Sequence, residues 1–137
     1  DCERCLRGGG LGSATFVGDS NCRDIYVEAV TCALGEMDPE IPSAREATKH
    51  ANSSVPLEGG GSLDFRWTQT LAGVVATAQE LLDRLREEHG GEHGPSRKPS
   101  ALVLGFGIWD MVVHLTPLDA FEASLHPLLD ILEELGR

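Results

Sequence analysis

The stretch Ser13-Ala-Thr-Phe-Val-Gly-Asp-Ser20 decides the fold class of this chain. Its first six residues, Ser13 to Gly18, form a short apolar run that contains β-branched residues and ends in glycine, which is typical of a buried strand. The residues from Asn21 to Leu34 then place apolar side chains at helical spacing, on one face: Ile25, Ala29, Val30 and Ala33. The sequence therefore predicts a strand that leads directly into a helix, with the turn Gly18-Asp19-Ser20 between them.

Two further strand-and-helix units follow. Ser62-Leu-Asp-Phe-Arg-Trp67 alternates apolar and polar residues as a strand does, and Leu71 to Glu88 carries apolar residues at helical spacing. Ala101-Leu-Val-Leu104 is apolar throughout, which predicts a fully buried central strand of a parallel sheet. A last helix is predicted over 117–135, with a bend at Pro127, because proline lacks the N–H that the helical ladder needs.

This order of units predicts an α/β fold. Right-handed crossovers return the chain to the same direction, so the expected architecture is a three-layer αβα sandwich with a parallel sheet and helices on both faces. We expect one domain over residues 1–137. Within it, residues 35–62 are predicted to be a long surface loop, because three prolines and a run of glycines interrupt any periodicity. Ligands of such sheets bind at the carboxyl ends of the strands.

Composition excludes several classes of protein. The formal charge of -11, from 22 acidic and 11 basic residues, disfavours nucleic acid as a partner, because an acidic surface repels phosphate backbones. No run of 18 apolar residues is present, so we expect this segment to be soluble and to lack a membrane span of its own. Cys2-x-x-Cys5 lacks the second ligand pair of a zinc site, so the four cysteines are interpreted as structural disulfides or buried thiols.

The turn Gly18-Asp19-Ser20 is the candidate reactive site. A serine between a strand and a helix would project from the carboxyl edge of the sheet, and the amides of the first helical turn, near Asn21 and Cys22, could stabilise a developing oxyanion. The alternative is that Ser20 or Asp19 only caps the helix, as serine and aspartate often do.

The wider block Phe16-Val-Gly-Asp-Ser-Asn-Cys-Arg-Asp-Ile-Tyr26 resembles the first block of the SGNH hydrolase superfamily, in its PC-esterase branch. That branch includes sialate O-acetyltransferases of the Golgi and the capsule and plant wall polysaccharide O-acetyltransferases. Similar patterns follow in the family's order at Cys5-Leu6, at Leu63-Asp-Phe-Arg-Trp67 and at Gly105-Phe-Gly-Ile-Trp-Asp110. The resemblance implies an SGNH, flavodoxin-like fold and covers nearly the whole chain.

The resemblance also assigns roles to individual residues. Ser20 is implied to be the acyl-accepting nucleophile, with its own N–H in the oxyanion hole, and Gly18 and Asp19 complete its block. Gly105 or Gly107 matches the glycine of the third block. Many SGNH hydrolases place an oxyanion-binding asparagine two residues after that glycine, whereas this chain has Trp109 after Gly107, a feature of the PC-esterase branch.

The catalytic base of the family is missing from the sequence. SGNH enzymes carry an Asp-x-x-His pair late in the domain, and this chain has none. A serine needs an adjacent base, and that base needs an orienting partner, so we expect either a fold that is incomplete at its C-terminus or an inactive relative. His114, four residues after Asp110, is the weaker alternative base. His89-Gly-Gly-Glu-His93 has glycines where a zinc-binding helix would be required, so it is interpreted as a solvated loop, and no metal site is predicted.

The function implied by the resemblance is transfer of an acetyl group, through Ser20, to or from a carbohydrate hydroxyl. The expected donor is acetyl-CoA, although no bound cofactor is predicted, and the expected acceptor is a glycan or glycoconjugate in the Golgi or secretory lumen, with membrane attachment only through segments outside this chain. Two alternatives remain open. One is an inactive SGNH-like module that binds glycans or acts as a scaffold, and the other is a generic carboxylesterase.

Overall fold

The computed structural model describes residues 12–34, 50–57, 60–90 and 100–136. The chain divides into two compact units. The first unit contains the sheet and the first helix, and the second contains the remaining helices.

The sheet of the first unit has four strands among the described residues, in the order β2-β3-β1-β4. The strands are β1 (Ala14–Gly18), β2 (Ser53–Pro56), β3 (Ser62–Trp67) and β4 (Ala101–Gly105). β1 is central and pairs in parallel with both β3 and β4, whereas β2 pairs antiparallel with β3. The prediction of an α/β fold is confirmed, but the sheet is mixed and not parallel throughout.

β2 lies inside the span predicted to be a surface loop, residues 35–62. The strand is only four residues long, begins with two serines and ends in Pro56 at the margin of the sheet, where a missing backbone donor is tolerated. The composition of β2 does not predict a strand, but hydrogen bonds to its neighbour β3 stabilise one. Residues 35–49 and 58–59 of the predicted loop lie outside the described residues.

The first helix, α1 (Ser20–Leu34), covers one face of the sheet with an aromatic core. The Tyr26 ring stacks on Phe65 of β3 with centroids 5.4 Å apart and meets the edge of Phe16 of β1 at 5.6 Å. The Tyr26 hydroxyl lies 3.1 Å from the Ser53 hydroxyl, which ties the helix to β2. Edge and stacked aromatic pairs add about 0.5–1.5 kcal/mol each beyond the area that they bury. These contacts fix α1 against the sheet.

The burial predicted for β4 is wrong. Its residues are apolar, as a central strand requires, yet all five are partly exposed, and among the described residues β4 pairs only with β1. The continuous apolar pattern predicted two covered faces and two paired edges. It correctly indicated a strand, but it does not determine the position of that strand in the sheet.

The second unit contains α2 (Leu71–Gly90), a π-helical turn (Trp109–Val113) and α3 (Leu118–Gly136). Both long helices were predicted to within three residues at each end, and Pro127 lies inside α3 as expected. Arg86 of α2 donates to Glu134 Oε1 of α3 through Nη2 at 2.6 Å and Nε at 3.0 Å. The π-helical turn was not predicted, because its residues carry no periodicity distinct from that of an ordinary helix.

Candidate functional site

The carboxyl ends of three neighbouring strands meet in one row of the first unit. Gly18, the last residue of β1, is in register with Trp67 of β3 on one side and with Gly105 of β4 on the other. Ser20 follows Gly18 by two residues and begins α1. The structure therefore brings together four of the predicted site residues, Gly18, Asp19, Ser20 and Gly105, at the edge where ligands of α/β sheets bind.

Gly18 and Gly105 allow α1 to start very close to the sheet. A Cβ added at Gly18 would lie 2.7 Å from the Cβ of Cys22, and one added at Gly105 would lie 2.8 Å from the same atom. Carbon atoms normally stay about 3.5–4.0 Å apart, so Gly105 does not accept a side chain without a shift of the helix. At Gly18 the carbonyl oxygen of Gly105 blocks a side chain as well. The two glycines therefore determine how closely the first helical turn approaches the sheet, and this distance determines the position of Ser20.

Asp19 is the N-cap of α1. Its side chain is buried, at 3% exposure, and Oδ1 accepts a hydrogen bond from the Asn21 N–H at 2.9 Å. The Asp19 carbonyl accepts the first helical hydrogen bond, from the Arg23 N–H, also at 2.9 Å. These are the two bonds that define an N-cap residue. Of the two capping candidates in the turn, Asp19 carries the role.

Ser20 occupies the first helical position, where its side chain is partly exposed. Among the described residues, no hydrogen bond of the Ser20 hydroxyl is found, so the capping interaction does not use it. Because Asp19 occupies the Asn21 amide, the first-turn amides without a helical acceptor are those of Ser20 and Cys22. Asn21 is thus removed from the expected set of oxyanion donors, and the Ser20 and Cys22 amides remain.

Cys22 packs under the site and is not a second nucleophile. The thiol is buried, at 1% exposure, between α1 and the ends of β1 and β4. Burial, and secondly the Asp19 carboxylate, raise the pKa of the Cys22 thiol to about 11. A thiol with so high a pKa holds almost no thiolate at neutral pH, and the thiolate is the reactive form. The contribution of Cys22 is packing.

Arg23 lies on the same face of α1 as Ser20, three residues further along the helix. One terminal nitrogen of its guanidinium, Nη2, lies 3.4 Å from Asp24 Oδ1. Its Nε is buried and has no hydrogen-bond partner among the described residues. The helical face that carries Ser20 therefore also carries the Arg23 guanidinium, whose Nε–H has no acceptor among the described residues.

An aromatic pair, His50 and Trp67, lies at the same edge of the sheet and was missed from the sequence. The two rings meet edge to face, with centroids 4.5 Å apart and planes at 75°. His50 has a φ of 62°, a left-handed conformation that non-glycine residues rarely adopt. Asn52 holds the segment in place, because its Oδ1 accepts the Trp67 N–H at 2.8 Å. A left-handed residue fixed by neighbouring contacts is a recognised mark of functional sites.

The other predicted site residues belong to the second unit. Gly107 is buried with a φ of 104°, and the nearest atom to its missing Cβ is a ring carbon of Phe121, at 3.5 Å. Trp109 begins the π-helical turn and is partly exposed, and its carbonyl accepts the His114 N–H at 2.9 Å. Gly107 therefore permits a backbone turn against α3.

The alternative pair Asp110 and His114 is not arranged as an acid and a base. Asp110 is buried, and its Oδ2 accepts the Leu71 N–H at 2.8 Å, so the carboxylate caps α2. His114 is exposed, and among the described residues no hydrogen bond joins its ring to Asp110. His114 was only the weaker alternative from the sequence, and the Asp110 carboxylate caps the start of α2.

Three further observations concern the whole of the described chain. Cys32, near the end of α1, is disulfide-bonded, which confirms that at least one of the four cysteines has a structural role. Within the described ranges, no three side chains of His, Cys, Asp or Glu come close enough to hold a metal ion. No helix in the same ranges has the length and apolar character that crossing a membrane requires.

Comparison with known proteins gives no relative from which a role could be assigned. No family model, no curated protein and no solved structure matches the chain.

Proposed function

We propose that the chain carries the nucleophile of an acyl-transfer enzyme of the SGNH type, with Ser20 accepting an acetyl group that passes to or from a carbohydrate hydroxyl. The main support for this proposal is that Asp19, and not Ser20, caps the helix in this turn. Asp19 makes both N-cap hydrogen bonds, so helix capping does not account for Ser20. A hydroxyl with no hydrogen bond among the described residues, at the carboxyl end of a central parallel strand, is suitably placed for a nucleophile.

The chemistry would proceed in two steps. The Ser20 Oγ attacks the acyl carbonyl carbon and loses its proton to a general base, and the carbonyl oxygen becomes an oxyanion facing the Ser20 and Cys22 amides. Collapse of this intermediate expels the donor's leaving group, which takes the proton, and leaves an ester on Ser20. The acceptor oxygen then attacks the carbonyl carbon of that ester while its proton passes to the base. The bond from this carbon to Ser20 Oγ breaks, and Oγ takes the proton back from the base. A preorganised amide of this kind contributes about 3–4 kcal/mol to the barrier reduction.

The position of the first helical turn supports this proposal further. Gly18 and Gly105 bring the Cys22 backbone down onto the sheet, and the packing that results fixes the two free amides relative to Ser20. Preorganisation matters, because donors that are already in place need no rearrangement during the reaction. The resemblance to the PC-esterase branch of the SGNH family is a second support, and with it we propose the three-layer, flavodoxin-like arrangement of that family.

Acetyl-CoA is the donor that we propose, and the Golgi or secretory lumen is the proposed location. The disulfide at Cys32 supports an oxidising compartment, because cytosolic proteins of mesophiles rarely keep structural disulfides. The acidic charge of the chain supports an uncharged or glycan acceptor over a nucleic acid.

A second candidate function is a glycan-binding or scaffold module without catalysis. It is favoured by the missing base: the sequence has no Asp-x-x-His, and among the described residues no histidine hydrogen-bonds to Ser20. In that case the turn would be kept for the cap that Asp19 provides.

Intact-mass measurement after treatment with a fluorophosphonate distinguishes the two functions. We expect one added phosphonyl group on Ser20 in the longest form that the transcript encodes, and none in its Ser20→Ala variant. Ser54→Ala, at an exposed serine of β2, is the matched control and should label as the unaltered chain does. If this chain and the longest form both remain unlabelled while folded, the catalytic proposal is wrong and the binding module takes its place.

A further inference from the structure

The His50–Trp67 pair has a position that the proposed chemistry can use. Trp67 ends β3 and is in register with Gly18, two residues before Ser20. Neighbouring strands lie about 4.8 Å apart, and two residues of chain span at most about 7 Å, so the Cα atoms of Trp67 and Ser20 are within about 12 Å of each other. A single sugar unit can bridge such a separation between side chains.

The Trp67 indole is only partly buried against the core. It meets the Phe65 ring edge to face, with centroids 6.2 Å apart, and packs at the margin of the aromatic cluster. The side chain nevertheless remains partly exposed, and its outer neighbour, His50, is exposed. The indole therefore has both a core contact, with Phe65, and a contact outside the core, with His50.

One contact joins the two rings of this pair, and a second contact anchors the strand end that carries Trp67. The His50 ring lies against the indole at 4.5 Å, and Asn52 accepts the backbone N–H of Trp67 at 2.8 Å. The backbone of His50 has a φ of 62°, in the left-handed region that strains most residues with a Cβ. Local strain that neighbouring contacts maintain is characteristic of ligand clamps.

We infer that Trp67 and His50 form the platform that binds the acceptor sugar, a pyranose, beside Ser20. The face of an aromatic ring carries partial negative charge, which attracts the weakly positive C–H bonds on the flat side of a pyranose ring. The His50 ring bounds the platform on one side and offers nitrogen atoms to a sugar hydroxyl. The inference rests on the proposed function in naming an acceptor, but the binding that it describes does not require catalysis.

The test follows the two tryptophan indole signals by two-dimensional ¹H–¹⁵N NMR while a sugar is added. Trp67→Phe assigns which of the two signals belongs to Trp67 and which to Trp109. The probes are N-acetylneuraminic acid, which is anionic, and methyl β-galactopyranoside, which is neutral. We expect the Trp67 signal to shift saturably with at least one probe, with a Kd on the order of 1 mM, which corresponds to about 4 kcal/mol.

Variants identify the groups responsible. His50→Ala should weaken binding at least threefold and Trp67→Ala at least tenfold, whereas His126→Ala, at an exposed histidine of α3, should leave it unchanged. The titration of the unaltered chain is decisive even if Trp67→Ala fails to fold. The inference is overturned if neither probe shifts the Trp67 signal at concentrations on the order of 100 mM, or if His50→Ala binds as tightly as the unaltered chain.

The sugar titration and the labelling experiment together separate this inference from the proposed function. Labelling of Ser20 by a fluorophosphonate without a sugar-dependent shift at Trp67 would leave the acyl-transfer proposal standing and end this one. A sugar-dependent shift at Trp67, with no labelling of Ser20 in either this chain or the longest form, would establish the platform and end the catalytic proposal.

Discussion

Gly105→Ala tests whether close packing beneath α1 holds the candidate site together. The new Cβ would lie 2.8 Å from the Cβ of Cys22 and 3.5 Å from its sulfur, whereas carbon atoms normally stay at least about 3.5 Å apart. The start of α1 must therefore move by a little under about 1 Å. Inserting one carbon into a tightly packed position costs typically 1–3 kcal/mol. Gly105 does not have a positive φ, so alanine also gains about 0.4–1 kcal/mol by restricting the unfolded chain.

The expected net loss is about 1–2 kcal/mol in the free energy of unfolding. Urea denaturation should show a lower midpoint with an unchanged slope, and the melting temperature should fall by roughly 3–8 °C. Gly136→Ala is the matched control, because nothing lies within 4 Å of a Cβ at that position of α3, and it should be neutral or slightly stabilising.

A double variant makes the test specific to the Gly105–Cys22 contact. Cys22→Gly removes the atom that the new methyl group meets, so Gly105→Ala should cost less in that background, with a coupling of about 1 kcal/mol or more. Costs that add to within about 0.5 kcal/mol would refute the contact as the cause. A Gly105→Ala chain as stable as the original would refute the packing that we describe.

Two further predictions concern the cysteines. Burial raises the pKa of the Cys22 thiol to about 11 in the folded chain, above its ordinary value of 9.0, so the folded state retains the thiol proton longer. The stabilisation is complete below pH 9 and is lost as the pH rises from about 9 to about 11. Urea midpoints measured across that range should fall, and Cys22→Ala should fall less steeply, whereas equal slopes would contradict the buried thiol. Reduction of the Cys32 disulfide should lower the free energy of unfolding by about 2–5 kcal/mol. Cys32→Ser should show the same loss without reductant, and an unchanged stability of this variant would argue against the disulfide.

Strong local patterns predicted most of the secondary structure. Alternation in β3 and apolar spacing in α2 are signals contained in the residues themselves, and both elements appear close to their predicted bounds. β2 was missed because Ser53–Pro56 has little strand propensity of its own and becomes a strand only by pairing with β3. The partial exposure of β4 was missed because apolar composition records which residues can be buried, not how many neighbours a strand has.

The candidate site was predictable where it depends on neighbours in the chain, and not elsewhere. Gly18, Asp19 and Ser20 are consecutive, so the strand-turn-helix pattern located them, although it could not decide between Asp19 and Ser20 as the cap. His50 and Trp67 are 17 residues apart and belong to different segments, and no sequence spacing predicts their contact. The left-handed conformation of His50 is not predicted by its residue type either, since histidine is enriched there relative to most residues but still adopts it in a minority of cases.

The cap at Asp19 has a consequence for how this turn can evolve. Because Asp19 makes the hydrogen bonds that start α1, a lineage can replace Ser20 without a large loss of folding stability. Asp19 is subject to selection for a stable fold, whereas Ser20 is subject to selection for whatever its hydroxyl does. A descendant that keeps the aspartate and loses the serine would therefore have lost the chemistry of this site and kept the stable fold.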